Sequence, residues 1–197
     1  MIVNIVGFKG GVGKTTTAIH LSAYFSTLGT TLLIDGDPNR SASVWARSGK
    51  LPFKVVDERV AARHAQGVEH FVVDTQARPR EDDLRVLADG CDLLILPTTP
   101  DGLSLDALML TVTALRNISA QNYAVLLTIV PPRPNRDGEE AMKALTSAEL
   151  PVFPSVIRRF VAYQRAAVLG VPVYEIEDRN ANEAWQDYIT VGKEIFG

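Results

Sequence analysis

The sequence predicts an α/β fold, with a doubly wound, mostly parallel sheet and helices on both faces. Short runs of Val, Ile and Leu recur along the chain without alternating with polar residues, which is typical of parallel strands covered on both faces. Segments with helical periodicity separate these runs. The chain has 197 residues, of which 46% are hydrophobic and 22% charged, so we expect a single domain over residues 1–197.

Six apolar runs predict the strands. In chain order they are Ile2–Val6, Leu32–Ile34, Phe53–Val56, Phe71–Val73, Leu93–Leu96 and Tyr123–Val130. Parallel strands have their carboxyl ends at one edge of the sheet, and ligands of open α/β folds bind at that edge. Residues that follow these runs are therefore the first candidates for a functional site.

Helices are predicted between the strands and in the tail. The first begins near Gly13 and has apolar residues at helical spacing up to Leu28, after which Gly29 supplies a stop. Another has apolar residues at helical spacing over 105–115 behind Ser104, a favourable N-cap. Two more are predicted over Ser155–Leu169 and Asn182–Phe196, and in the latter Trp185, Ile189 and Phe196 form a stripe that we expect to pack on the sheet.

The composition excludes several classes of protein. A single cysteine, Cys91, excludes a disulfide framework and a Cys-ligated zinc or iron–sulfur site within one chain. No apolar run reaches the roughly 18 to 20 residues that span a bilayer, and the N-terminus lacks signal-peptide features. The net charge of −3 argues against a uniformly basic surface but leaves room for a local basic patch. We expect a cytoplasmic protein.

The segment Gly7-Phe8-Lys9-Gly10-Gly11-Val12-Gly13-Lys14-Thr15-Thr16 follows the first strand and opens the first helix. Its glycines allow backbone N–H groups to face phosphate oxygens, and the helix adds free N–H groups and its positive dipole end. In such a loop Lys14 reaches the β- and γ-phosphates and the Thr15 hydroxyl ligates Mg²⁺. The sequence thus predicts a nucleotide site whose cofactor-binding residues include Gly10, Gly11, Val12, Gly13, Lys14, Thr15 and Thr16.

Carboxylates follow two other strands. Asp35 and Asp37 end the second predicted strand, and Asp74 ends the strand at 71–73. Because these strand ends share one edge of the sheet, we expect the three aspartates to converge on the phosphate loop, where they can hold Mg²⁺ and orient water. Val130-Pro131-Pro132-Arg133 reaches the same edge, which places Pro131 and Arg133 at the border of the adenine.

These motifs resemble those of the ParA/MinD family of P-loop ATPases. Residues 9–15 resemble its deviant Walker A box, KGGxGKT, residues 35–38 resemble its D-x-D-P motif, and Asp74 matches its Walker B aspartate. The resemblance implies ATP and Mg²⁺ as cofactors and a weak ATPase activity. It also implies that Lys9 reaches the nucleotide of the other subunit in a homodimer, that Asp37 positions the attacking water, and that Asp35 and Asp74 support the metal. Lys9, Lys14 and Asp37 are thereby the expected catalytic residues.

The resemblance extends over nearly the whole chain. Residues 43–50 and 156–174 are similar to small partition proteins of the ParF type, and proteins of the McdA type that position carboxysomes are equally close. It implies that the ATP-bound dimer binds nucleoid DNA without sequence preference until a cargo-bound adaptor of the ParB, ParG or McdB type triggers hydrolysis. The stretch 151–170 carries three arginines and no acid, so the expected DNA-binding residues are Arg158, Arg159 and Arg165.

Two alternatives remain at this level. A MinD-like positioner would bind a membrane through a basic amphipathic tail, but Lys193 is the only base from residue 180 onward, and we therefore expect no membrane partner. An ATP-dependent ligase resembling dethiobiotin synthetase would need a pocket for a small-molecule substrate and would have no need for Lys9.

Overall fold

Six parallel strands form one sheet in the computed structural model, which describes the backbone of residues 1–197 and every side chain except that of Glu81. The strands are β1 (Ile2–Gly7), β2 (Thr31–Asp35), β3 (Lys54–Asp57), β4 (His70–Ala77), β5 (Leu93–Thr98) and β6 (Tyr123–Leu127). Their order across the sheet is β3-β2-β4-β1-β5-β6, and every neighbouring pair is parallel. The prediction of a parallel, doubly wound sheet is confirmed.

Helices cover both faces of this sheet. They are α1 (Lys14–Phe25), α2 (Ser41–Trp45), α3 (Glu81–Asp89), α4 (Gly102–Asn117), α5 (Asp137–Ser147), α6 (Val161–Leu169) and α7 (Ala181–Phe196). Successive strand residues enter different cores: Ile95 lies in the core shared with α1, α6 and α7, whereas Leu94 and Leu96 lie in the core shared with α4 and α5. Both faces are apolar for this reason, and it explains why the strand sequences do not alternate. No helix among the described residues is long and apolar enough to cross a bilayer.

Several predicted helix details are wrong. The first helix ends at Phe25, and Leu28 lies beyond it with 52% of its surface exposed. The N-cap of α4 is Asp101 and not Ser104, because the Asp101 carboxylate accepts the Ser104 backbone N–H. The buried residues of α7 are Ala181, Ala184, Tyr188, Val191 and Gly192. Of the predicted stripe, Trp185 packs partly against the core, and the Phe196 ring contacts Phe25 and His70 although it is 43% exposed.

Residues 155–160 are not helical, contrary to prediction. The Ile157 N–H donates to the Leu127 carbonyl at 2.9 Å, and the Val130 N–H donates to the Ile157 carbonyl at 3.0 Å. These backbone groups are therefore satisfied by the end of β6 instead of by a helical turn. Helix α6 begins only at Val161.

The sheet topology brings the functional segments to one edge. Asp74 in β4 lies beside Ile5 of β1 and beside Asp35 of β2. The phosphate loop leaves β1 immediately after this point, between β4 and β5. The convergence expected from the strand ends is thus a direct result of the strand order.

Candidate functional site

The phosphate loop adopts a conformation that depends on glycine. Gly11 and Gly13 have φ angles of +81° and +83°, in the left-handed region where a Cβ would be strained. Gly13 is also the N-cap of α1, so the N–H groups of the first helical turn are available to a ligand. The Val12 carbonyl accepts the Thr128 hydroxyl at 2.8 Å, which ties the loop to the end of β6.

Lys14 is a buried cation beside this loop. It retains only 7% of its surface exposed. No ion pair to Lys14 occurs among the side chains that the structure describes. A buried charge needs a partner to offset its lost hydration, and a phosphate group bound at the loop is such a partner.

The loop and Lys14 open into a cavity of about 650 Å³. This volume suits a nucleotide. One part of the wall is the loop with Asp37 and Asn39, and another is α2 with α6. The residues lining the cavity include Gly10, Gly11, Gly13, Lys14, Thr15, Thr16, Asp37, Asn39, Trp45, Thr128, Ile129, Ile157, Arg158, Arg159, Phe160, Tyr163, Gln164 and Tyr188.

Thr15 and Asp74 form the part of the site that suits a metal. The Thr15 hydroxyl donates to Asp74 Oδ2 at 2.7 Å, and Asp74 Oδ1 is buried without a hydrogen-bond partner. Burial raises the pKa of Asp74 to about 7, although the hydrogen bond from Thr15 and the charge of Lys14 both lower it. A buried, unsatisfied carboxylate oxygen next to a hydroxyl fits Mg²⁺, which takes oxygen ligands and neutralises such a group.

The described side chains contain no cluster of three or more acidic, histidine or cysteine residues able to enclose a metal. This agrees with Mg²⁺ chemistry, since that ion is held by one or two protein oxygens together with phosphate oxygens and water. Thr15 and Asp74 would hold the ion at this site.

Asp35 is hydrogen-bonded within the loop that follows β2. Its Oδ1 accepts the Asp37 N–H at 3.2 Å, and its Oδ2 accepts both the N–H and the hydroxyl of Ser43. Asp35 therefore shapes the loop that carries Asp37, and its expected support of the metal stays a prediction. Asp37 itself is 8% exposed and lines the cavity, and its Oδ1 accepts the Asn39 N–H at 2.8 Å.

Lys9 does not line the cavity of its own chain. Its ammonium group donates to the Ser104 hydroxyl at 2.7 Å and to Asp101 Oδ1 at 3.1 Å, at the N-terminus of α4. Hydrogen bonds from Thr99, Ser104 and Lys9 hold the pKa of Asp101 well below its usual range, so this carboxylate is charged. Lys9 is 34% exposed and thus lies at the surface beside the loop.

The structure does not bring Pro131 and Arg133 to the cavity. Arg133 is 88% exposed and forms an ion pair with Glu139 of α5. Residues 157–160 take the expected place instead, because their backbone pairs with the residues that follow β6. Pro131 and Arg133 do not line the cavity, and the prediction that they border the adenine has no support from its lining. Thr128 lines the cavity but was not predicted to do so, because the predicted strand at 123–130 included it. A polar residue directly after the apolar residues 123–127 is the signal that could have identified it.

The three arginines expected to bind DNA do not form a free basic patch. Arg158 pairs with Asp187 and Glu183, and Arg165 pairs with Asp178. The charge of +3 counted over residues 151–170 is not the charge of the surface that these arginines form. The fold places three acids from a later part of the chain beside them. Arg159 is exposed and has no ion pair among the described side chains.

His20 lies under the site in an aromatic cluster with Trp45, Tyr163 and Tyr188. Its Nδ1 donates to the Thr16 carbonyl at 2.7 Å, and its Nε2 accepts the Val173 N–H at 3.1 Å, so the ring is neutral. The ring stacks on that of Tyr188 with 4.9 Å between centroids. Burial lowers the pKa of His20 to about 4, against a hydrogen bond to Thr16 that raises it.

This histidine predicts an acid-sensitive fold. The unfolded chain binds a proton at His20 near pH 6.5 and the folded chain only near pH 4, so the free energy of unfolding falls as the pH is lowered through this window. We expect His20 to account for a loss of about 3 kcal/mol in ligand-free protein. Urea unfolding of the natural chain and of His20→Gln at pH 4 to 7 measures this change in the free energy of unfolding.

The difference between the two proteins isolates this effect. Asp74, with its raised pKa, acts in the opposite sense, but it is present in both proteins and cancels. His20→Gln loses stability at neutral pH through lost stacking, yet its stability should vary less with pH. Two curves that run parallel over this window would contradict the assignment.

The sequence matches one family model and relatives that align with most of this chain. The model of the CobQ/CobB/MinD/ParA nucleotide binding domain matches residues 3–173. Maintenance of carboxysome distribution protein A of Gloeobacter kilaueensis is 36% identical over 201 residues, which cover 98% of this chain and 93% of that protein. The chromosome-partitioning ATPase Soj of Thermus thermophilus is 37% identical over 172 residues, which cover 85% of this chain and 59% of that protein.

The fold is also found among solved structures. The ATP complex of a McdA variant from Cyanothece superposes with a TM-score of 0.79 at 16% sequence identity, covering 99% of this chain and 96% of that one. At this level of identity the similarity shows the fold. Together with the family match, it confirms the expectation of a P-loop nucleotide-binding fold.

Proposed function

Because this chain belongs to the CobQ/CobB/MinD/ParA nucleotide-binding family, we propose that it is an ATPase that positions a cellular cargo, using an ATP-bound homodimer on nucleoid DNA. The observation that carries the proposal is Lys14, buried and without an ion pair among the described side chains, beside a glycine loop and the Thr15–Asp74 pair. The relatives that maintain carboxysome distribution or partition chromosomes support the positioning role.

The chemistry of the site follows from its residues. Lys14 and the N–H groups of the loop bind the β- and γ-phosphates, and Thr15 and Asp74 hold Mg²⁺, which when bound neutralises phosphate charge. Asp37 lies in the same cavity and orients the attacking water, because its carboxylate accepts a hydrogen bond from that water. Of the three aspartates at this edge, Asp37 is the one that lines the cavity, and we therefore assign the water to it.

Lys9 is the residue that makes the site depend on a second subunit. Asp101 and Ser104 hold it at the surface beside the loop, outside the cavity of its own chain, and it exchanges these partners for a triphosphate bound by another copy. ATP then acts as the bridge between the two subunits. Hydrolysis, triggered by an adaptor protein on the cargo, removes the bridge and releases the dimer from DNA.

Retention of DNA tests the proposed function. We expect the chain to retain a random-sequence duplex with ATP and Mg²⁺ and to release it with ADP, since only the dimer doubles the phosphate contacts. Arg159→Ala should weaken retention and reduce the slope of log K against log salt by about 2 per dimer, because each lost phosphate contact removes about one unit. A gel shift across a salt series measures both.

Arg165→Ala is the matched control. Its guanidinium is already neutralised by Asp178, so its removal should change the salt slope little. Nucleotide affinity is measured in parallel, because Arg159 also lines the cavity. Equal losses in the two variants, or the same retention with ADP as with ATP, would contradict the proposed DNA contact.

A further inference from the structure

The extended segment 155–160 forms one wall of the nucleotide cavity and lies beside the end of β6. Three backbone hydrogen bonds join it there: the Ile157 N–H donates to the Leu127 carbonyl at 2.9 Å, the Val130 N–H to the Ile157 carbonyl at 3.0 Å, and the Arg159 N–H to the Val130 carbonyl at 2.8 Å. Ile157 and Phe160 from this segment line the cavity together with Ile129. These bonds hold the backbone of the wall, and further contacts connect it to α7.

Arg158 supplies those contacts through α7. Asp187 accepts the Arg158 backbone N–H at 2.9 Å, its Nε–H at 3.1 Å and its Nη2–H at 2.8 Å. Glu183, four residues earlier on the same face of α7, accepts from Nη1 at 3.0 Å. The Asp187 side chain is only 10% exposed and that of Arg158 is 42% exposed, so the carboxylate end of this pair is the sheltered one.

The guanidinium also fixes the apolar surface of the wall. It lies 5.0 Å from the centroid of the Phe160 ring, in a cation–π contact. Its donors are directed to α7, which leaves it little capacity to bind phosphate. Arg158 thus acts as a brace between α7 and the wall.

The wall that Arg158 braces differs chemically from the phosphate loop. The loop offers N–H groups and Lys14, whereas Ile129, Ile157 and Phe160 offer an apolar surface. A nucleoside triphosphate has the same division, with a charged triphosphate and a flat, weakly polar base. The base therefore belongs against the Ile157–Phe160 wall when the phosphates occupy the loop.

We infer that Arg158 and Asp187 are positioning residues for the base end of the nucleotide site, acting through Ile157 and Phe160. The inference rests on the proposed function, because it takes a nucleoside triphosphate as the ligand. It predicts that the Arg158–Asp187 pair contributes to binding of the base and not to binding of the phosphates. A purely structural role for the pair would affect both alike.

Two ligands that differ in the nucleoside separate these roles. Calorimetric titrations with Mg²⁺ compare the non-hydrolysable analogue AMPPNP with inorganic tripolyphosphate. We expect Asp187→Asn to weaken AMPPNP binding by about ten-fold and to leave tripolyphosphate binding unchanged within about two-fold, since it removes one charged acceptor far from the loop. Arg158→Lys, which keeps the charge but loses the forked geometry, should have the same selective effect.

Asp178→Asn is the matched control, because it breaks the Arg165–Asp178 pair, in which neither residue lines the cavity. It should leave both affinities unchanged. Equal weakening of both ligands by Asp187→Asn, or unchanged AMPPNP affinity in both Asp187→Asn and Arg158→Lys, would overturn the inference. If the natural chain bound neither ligand, the proposed function itself would be wrong, and the inference with it.

Discussion

Replacing Lys14 with alanine is expected to lower the affinity for ATP by on the order of 100-fold or more. Lys14 is buried at the loop and is unpaired among the described side chains, so the triphosphate is its natural counter-charge. Without the ammonium group, the β- and γ-phosphates lose one positive charge in the site. A water molecule in its place cannot supply that charge. A fluorescence titration with a labelled ATP analogue and Mg²⁺ measures the change.

The ligand-free variant supplies an internal check. A buried cation without a partner costs stability, so Lys14→Ala should unfold at the same temperature as the natural chain or at a higher one. Lys143→Ala, on the exposed face of α5, is the matched control and should bind ATP normally. Normal ATP affinity in Lys14→Ala would remove the main support for the nucleotide site.

Replacing Asp37 with alanine is expected to slow ATP hydrolysis by about 100-fold or more while ATP remains bound. The Asp37 carboxylate lines the cavity but makes none of the contacts that form the loop or the Thr15–Asp74 pair. Binding groups are therefore kept and water positioning is lost. Phosphate release gives the rate, and a nucleotide titration gives the affinity.

A slow enzyme should also remain in its ATP-bound form. Asp37→Ala is expected to accumulate as a dimer with ATP, because hydrolysis is the step that ends the dimeric state. Asp89→Ala, at the exposed end of α3, is the control for the loss of a surface acid. Unchanged phosphate release in Asp37→Ala would show that another group positions the water.

Those parts of the site that lie at strand ends could be predicted from the sequence. The loop and Asp74 follow an apolar run directly and Asp37 follows one within three residues, and parallel strands place such residues together whatever the remaining packing. The same reasoning could not show that both oxygens of Asp35 are taken by Asp37 and Ser43. Those bonds depend on the local path of a loop, which no periodicity encodes.

Contacts between distant segments account for the errors. Residues 155–160 contain no helix breaker strong enough to exclude a helix, and the backbone of β6 and the carboxylates of α7 decide their conformation. The charge of Arg158 and Arg165 is likewise cancelled by acids 13 to 29 residues away in sequence. A count of charges within a window of sequence cannot include them.

The most direct test of an ATP-bridged dimer is sedimentation velocity, which measures the mass of the protein in solution. Asp37→Ala is compared with the double variant Lys9→Ala/Asp37→Ala, each with and without ATP and Mg²⁺. We predict monomers without ATP, dimers with ATP, and monomers under both conditions for Lys9→Ala/Asp37→Ala, which still binds ATP. Monomers throughout, or ATP-dependent dimers that form equally well without Lys9, would contradict the proposed role of Lys9 between subunits.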